Sequence, residues 1–241
     1  MCTAIVGYDP GARVPVFLAG VRDELADRAW LPPARHWPDH PGLIGGRDEL
    51  AGGTWLAADP GAPRVACVLN GVGRPAAEGR RRSRGELPLV LAETGELKLD
   101  PDRYDPFHLV GADASAVRLW SWDGERLSAR RLEPGLHIVV NSGLAEPGTL
   151  GGDDHMSARV AHFRPLFEAA PRDREGWLGL LDGDGLDPSD DRALIVRREL
   201  DGGRIWGTTS ISLISLGPHG VGYDFTAAPG DSAAWRPVGA S

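Results

Sequence analysis

The sequence is short of the residues that define several large protein classes. Lysine occurs once, at Lys98, and arginine supplies the other basic side chains. Basic residues number 26 against 34 acidic ones, a net charge of −8. That balance argues against nucleic acid as a partner. The arginine bias comes with 33 glycines and 20 prolines and reads as codon bias rather than phosphate recognition. Cysteine occurs only at Cys2 and Cys67, too few for a disulfide framework, and reduced thiols fit a cytoplasmic protein. No run reaches the roughly 20 apolar residues that span a bilayer. No charged segment followed by an apolar one opens the chain, so no signal peptide is expected. The expectation is a soluble, cytoplasmic protein with no membrane span.

What is present supports a sizeable core. The 241 residues are 41% apolar and 25% charged, within the range of ordinary soluble domains. CTAIVGY (2–8) and PVFLAG (15–20) read as a hairpin across a DPG turn. RDELADRAW then reads as a polar loop or short helix, and 31–53, rich in Pro, Gly, His and Asp, as irregular chain. TWLAAD (54–59) and RVACVLN (64–70) form a second predicted hairpin. GELPLVLAETG is predicted helical, with Pro88 in its first turn. FHLVGAD, AVRLWSWDG, RLSARRL and LHIVVNS read as successive strands. DDHMSARVAHFRPLFEAA reads as a helix from an Asp cap, and DREGWLGLLDG as a shorter one. ALIVRREL, RIWGTTSISLISL and GVGYDFTA return to strand patterning. No repeat or linker divides the chain, which points to one α+β domain over 1–241 with helices packed on sheets.

Cys2 stands directly behind Met1. It has a packing role to offer, as a small apolar residue opening a strand. It also has a chemical one. Its small side chain permits removal of Met1, which would put a thiol and a free α-amine on one residue. The α-amine has a pKa of about 7.7–8.0, and a free thiol about 8.5, so the amine can take the thiol proton near neutrality. Such a pair is expected to favour thiolate below the free-thiol value. A carboxylate would hold the amine, and neutral donors would face a tetrahedral oxyanion. Asp23 follows the second strand, and Asn70 and Asn141 each end one. Taken singly, each has a structural role open to it: Asp23 paired with Arg22, and each Asn as a turn residue.

MCT, LAGVRDE (18–24), GGRDELAGGTWLA (45–57), VLN (68–70), SRGEL (83–87) and VVNSGL (139–144) occur in an order that resembles the NRDE family, also named for transport and Golgi organisation protein 2. That family is similar to the cysteine-type N-terminal-nucleophile hydrolases. The resemblance implies a four-layer αββα sandwich, with two antiparallel sheets between helical layers. It implies Cys2 as nucleophile, Asp23 as the acid that orients the amine, and Asn70 and Asn141 as polar groups around the scissile carbonyl. It makes Arg22 the family's arginine. Two positions depart from the pattern. Val21 stands at the family's namesake Asn, and Thr209 stands where relatives carry an Arg.

Two functions follow as expectations. The first is a cysteine amidohydrolase or acyltransferase. It acts on a small-molecule non-peptide amide or acyl substrate through a Cys2 thioester and needs no cofactor. The second is a non-catalytic haem- or lipid-handling trafficking protein on the same fold, with haem as its ligand. Other features carry less. His36 and His40 lie among prolines, and His155 and His162 read as helix-surface groups rather than metal ligands. DGDGLDPSDD (182–191) lacks the ligand order of a calcium loop. RRRSR (80–84) reads as a solvated loop, and Trp37 and Trp55 as packing residues.

Overall fold

The computed structural model describes residues 2–146, 154–218 and 220–239. In chain order the strands of the first half are β1 (Cys2–Tyr8), β2 (Val16–Leu25), β3 (Trp30–Ala34), β4 (Ile44–Asp48), β5 (Leu56–Asp59) and β6 (Arg64–Asn70). Helix α1 (Leu87–Thr94) follows, then β7 (Phe107–Asp113), β8 (Ala116–Trp122), β9 (Leu127–Leu132), β10 (Gly135–Val140) and β11 (Gly143–Leu144). Helices α2 (Asp154–Ala169) and α3 (Arg174–Leu181) precede β12 (Arg197–Glu199), β13 (Ile205–Gly217), β14 (Gly220–Thr226) and β15 (Arg236–Pro237). One antiparallel sheet has the order β11-β10-β1-β2-β13-β14-β15, with β12 also on β13. The other runs in sequence from β3 to β9.

Period-two alternation sorts the strands between three cores. On β1 and β2, Ala4, Val6, Val16 and Leu18 face the core between the sheets, which Leu56, Cys67 and Val110 enter from the other side. Ile5, Phe17, Ala19 and Val21 face the opposite way, onto Phe163, Phe167 and Trp177 of α2 and α3. Ala57, Ala66 and Leu109 meet Leu87 and Leu91 of α1 on the outer face of the second sheet. The result is the expected α+β arrangement of helix, sheet, sheet and helix. Strands buried on both faces carry few polar residues, which is why β1, β6 and β7 read so cleanly as apolar runs.

Three expectations need correction. Residues 31–53 are not wholly irregular, because they contain β4 and most of β3. Trp30 pairs with Asp48 and Leu31 with Arg47, and a bulge before Ala34 absorbs Pro32 and Pro33. β3 is an edge strand, where prolines cost no ladder bond. RDELADRAW does not leave the sheet at once: β2 runs on to Leu25, because β13 pairs with it as far as Trp206. In ALIVRREL only Arg197–Glu199 is strand. The Asp153 cap expected for α2 lies outside the described residues. Among the described residues no helix is long and apolar enough to cross a membrane.

Candidate active site

The site begins with strand register. β1 and β2 pair antiparallel with Cys2 opposite Arg22, so the two side chains share the face between the sheets. On the other side of β1, Ala4 pairs with Val139 of β10, and two steps further along the same register Cys2 meets Asn141. Cys2 N donates to Asn141 Oδ1 at 2.8 Å. Asn141 Nδ2 donates to the Asn70 carbonyl at 2.7 Å, which ties the ends of the two sheets together. The Cys2 thiol points at the Asp23 carbonyl oxygen, 3.9 Å away.

Cys2, Arg22, Asp23 and Asn70 line one cleft of about 670 Å³, and Asn141 braces its floor through Cys2. Asn70 is exposed and lines the cleft. Asp23 is almost fully buried. It lies one step from Arg22, on the strand face that looks toward α2. Arg159 of α2 donates from one terminal nitrogen to Asp23 Oδ2 and to Thr3 Oγ1, both at 2.9 Å. Thr208 Oγ1 donates to Asp23 Oδ1 at 2.7 Å. Sequence reading had offered Arg22 as the partner of Asp23. Arg159 was not foreseen, and its place among the apolar residues of α2 was the available signal.

Arg22 is held differently. Its guanidinium donates to Thr209 Oγ1 at 2.8 Å and lies 4.5 Å from the centre of the Trp55 ring. Thr209 is the extra residue of a β-bulge, since Thr208 pairs with Asp23 and Ser210 with Arg22. Two adjacent threonines therefore serve two adjacent charges. The other departure, Val21, faces the helical core away from the thiol. Trp55 is more than packing, because it lines the cleft as well.

His108 was missed altogether. It sits on β7, buried, with Nδ1 at 2.8 Å from Ser121 Oγ and Nε2 at 3.2 Å from the Asn141 carbonyl oxygen. The second contact assigns the proton to Nε2, so Nδ1 accepts from Ser121. Burial pushes the His108 pKa down, against the opposing effect of the Asn141 carbonyl. His108 thus stays neutral at pH 7 and fixes the backbone of the residue that holds Cys2 N.

The loop RRRSR is the other surprise. Arg81 and Arg82 are exposed, as a solvated loop requires, but together with the half-buried Arg84 they also line the cleft. Backbone contact puts them there. Thr54 N donates to the Gly85 carbonyl at 2.9 Å. A Cβ on Gly53 would lie 2.5 Å from the Gly85 carbonyl carbon, so the GGT and SRG segments can touch only as glycines. Ser83 Oγ accepts from Gly85 N at 3.2 Å and shapes the turn.

Charge in the cleft is unevenly matched. Burial raises the Cys2 thiol pKa, with the positive chain terminus and Arg22 acting against it and the Asp23 charge acting with it. That rise belongs to the chain that retains Met1, where Cys2 N is a peptide nitrogen and no base; the expectation of a lowered thiol concerns the chain without Met1. Arg22 and Arg84 are both lowered by burial, and a Cys2 anion would pull each back up. Burial also raises Cys67, deep in the core between the sheets.

His36, His40 and His162 are half-buried, each with a polar partner. His36 Nε2 meets the Pro32 carbonyl at 2.8 Å, His40 Nδ1 meets Glu93 at 2.8 Å, and His162 Nε2 meets Asp184 at 2.6 Å. The His155 side chain lies outside the described residues. No group of three or more potential metal ligands occurs among the described residues.

The layered sheets define a class. The solved structure of the C2A mutant of conjugated bile acid hydrolase from Clostridium perfringens superimposes with a TM-score of 0.53 at 10% identity, over 100% of this chain and 92% of that one. The fold is that of the N-terminal-nucleophile hydrolases. The sequence narrows this further: the profile of the TANGO2 family, Transport and Golgi organisation 2, matches residues 1–175, and the chain belongs to that family. Comparison with curated protein sequences gives no match.

Proposed function

We propose that the protein is a cysteine amide hydrolase or acyltransferase for small molecules, with Cys2 as nucleophile once Met1 is removed. One observation carries this reading: Cys2 lies in the cleft with its own nitrogen held by Asn141 at 2.8 Å. Loss of Met1 would make that nitrogen an amine while leaving its acceptor in place. The fold neighbour supports the reading, since it is a conjugated bile acid hydrolase whose own second-position cysteine is replaced by alanine in the solved C2A mutant.

The steps follow from these groups. The amine takes the thiol proton, and Sγ attacks the substrate carbonyl carbon. The π electrons move to oxygen, and the exposed Asn70 amide is a neutral side-chain donor of the cleft available to it. Collapse breaks the C–N bond, and the ammonium gives its proton to the leaving amine. Water, or an acceptor amine in acyl transfer, then attacks the thioester and loses a proton to the α-amine. Sγ leaves and recovers that proton, and the acid or new amide departs. Asn141 holds the amine throughout, and Asp23 fixes the strand end from the opposite face.

The test is release of nitroaniline from a panel of acyl-4-nitroanilides. Turnover should appear in the matured protein and vanish in Cys2→Ala and in protein that keeps an added residue ahead of Cys2. Turnover unaffected by either change would overturn the reading. The haem-handling alternative makes a separate forecast, a Soret band on titration that is indifferent to the free amine.

A further inference from the structure

Five arginines line the Cys2 cleft, and their partners divide them. Arg28 makes a two-point contact with Asp48, at 2.6 and 3.1 Å. Arg81 lies 3.1 Å from Asp105, and Arg82 lies 2.5 Å from Glu86. Those three have carboxylate partners. Arg22 and Arg84 instead donate to neutral oxygens, Thr209 Oγ1 and the Pro106 carbonyl, each at 2.8 Å. The nearest acid to Arg22 is Asp48 at 3.8 Å, already taken by Arg28. Asp105 faces Arg84 electrostatically but is bonded to Arg81. Arg22 is buried and Arg84 is half-buried, and a cation whose short hydrogen bonds go to neutral oxygens favours an arriving anion.

The two cations hold different places. Arg22 is directly across the strand pair from Cys2, which suits it to the thiolate. Arg84 comes from the RRRSR loop, anchored at the Gly53–Gly85 contact, and lines the same cleft. We infer that Arg84 binds a carboxylate on the substrate, so that the cleft selects acyl compounds carrying one negative charge. Two cations then meet two monoanions, a thiolate and a carboxylate. A dianionic phosphate would add a charge that the acids around Arg28 and Arg81 oppose. The inference rests on the proposed nucleophile and names the class of molecule it would attack.

A pair of alkylating agents tests it without a known substrate. Iodoacetamide and iodoacetate each form an S–C bond at Cys2 with loss of iodide, and they differ in carrying an amide or a carboxylate. Rates at Cys2 are read by peptide mass, with the unfolded protein as reference for intrinsic reactivity. The folded protein should favour iodoacetate over iodoacetamide by about tenfold relative to that reference, the scale of one charge-assisted hydrogen bond. Arg84→Gln should remove the preference while iodoacetamide still labels, and Arg84→Lys should restore part of it. N-acetylglycine should slow iodoacetamide labelling of the native protein more than inorganic phosphate does. An iodoacetate ratio equal to that of unfolded protein overturns the inference alone. So does a preference that survives Arg84→Gln, and so does protection by phosphate equal to that by N-acetylglycine. A Cys2 that neither reagent labels in the folded matured protein overturns the nucleophile reading, and the inference with it.

Discussion

Arg159 and Asp23 form a buried ion pair, 2.9 Å between guanidinium nitrogen and Oδ2, that fastens α2 to the strand next to Cys2. The same guanidinium reaches the Ala193 carbonyl through Nε at 2.9 Å, so it has polar partners on two sides. Asp23→Asn would leave Arg159 charged and without its counter-charge in a dry site. The expected cost is about 3–5 kcal/mol, read as a lower urea midpoint at unchanged m-value. A loss below about 1 kcal/mol would place the pair among those of surface type.

Asn141 offers a sharper probe of the site. Its side chain accepts from Cys2 N and donates to the Asn70 carbonyl. Asn141→Ala should cost about 1–3 kcal/mol in stability from the groups left unpaired. It should also slow labelling of Cys2 with iodoacetamide, since the amine loses its acceptor. Asn141→Asp keeps the acceptor and should retain labelling better than Ala.

His108 should leave a mark on the pH dependence of stability. Its folded pKa lies below the unfolded value of about 6.5, so the unfolded chain binds more protons in that window. The neutral ring's contribution is complete above about pH 6.5 and is lost as pH falls toward the folded value. His108→Gln should flatten the slope of stability against pH there, measured by denaturant titration at a series of pH values. An unchanged slope would assign it to other groups.

Cys67 is the internal control for Cys2. Both thiols are raised by burial, but only Cys2 lines the cleft. In the folded matured protein, Cys2 should be alkylated much faster than Cys67, and Cys67 should react only on unfolding. Comparable rates at the two residues would reduce Cys2 to a packing role.

Much of this was legible in the sequence, for physical reasons. β1, β6 and β7 begin and end where their apolar runs do, because both faces of each strand are buried. Cys2, Asn70 and Asn141 stand at or just past strand ends, and antiparallel pairing of β1 with β2 brings Arg22 and Asp23, inside β2, to the same end of the sheets. β3 was hidden because a bulged edge strand admits Pro32 and Pro33, and β4 because Leu56 and Trp55 pack where a Cβ of Gly45 or Gly46 would stand. Arg159, His108 and Arg84 were hidden for a different reason. A polar side chain shows in sequence as polar, and only tertiary packing tells whether it meets solvent or a buried partner. Thr209 illustrates the point: read as a lost guanidinium, it is the hydroxyl that holds Arg22.

The central claim is that Cys2 acts as a terminal nucleophile, and intact mass after acylation tests it most directly. Protein purified without added residues is incubated briefly with 4-nitrophenyl acetate, then weighed and mapped by peptide. The account predicts a chain lighter by one methionine that gains a single acetyl group, located on Cys2, labile to hydroxylamine and absent from Cys2→Ala. A chain that keeps Met1, or an acetyl group found elsewhere with Cys2 unmodified, would contradict it.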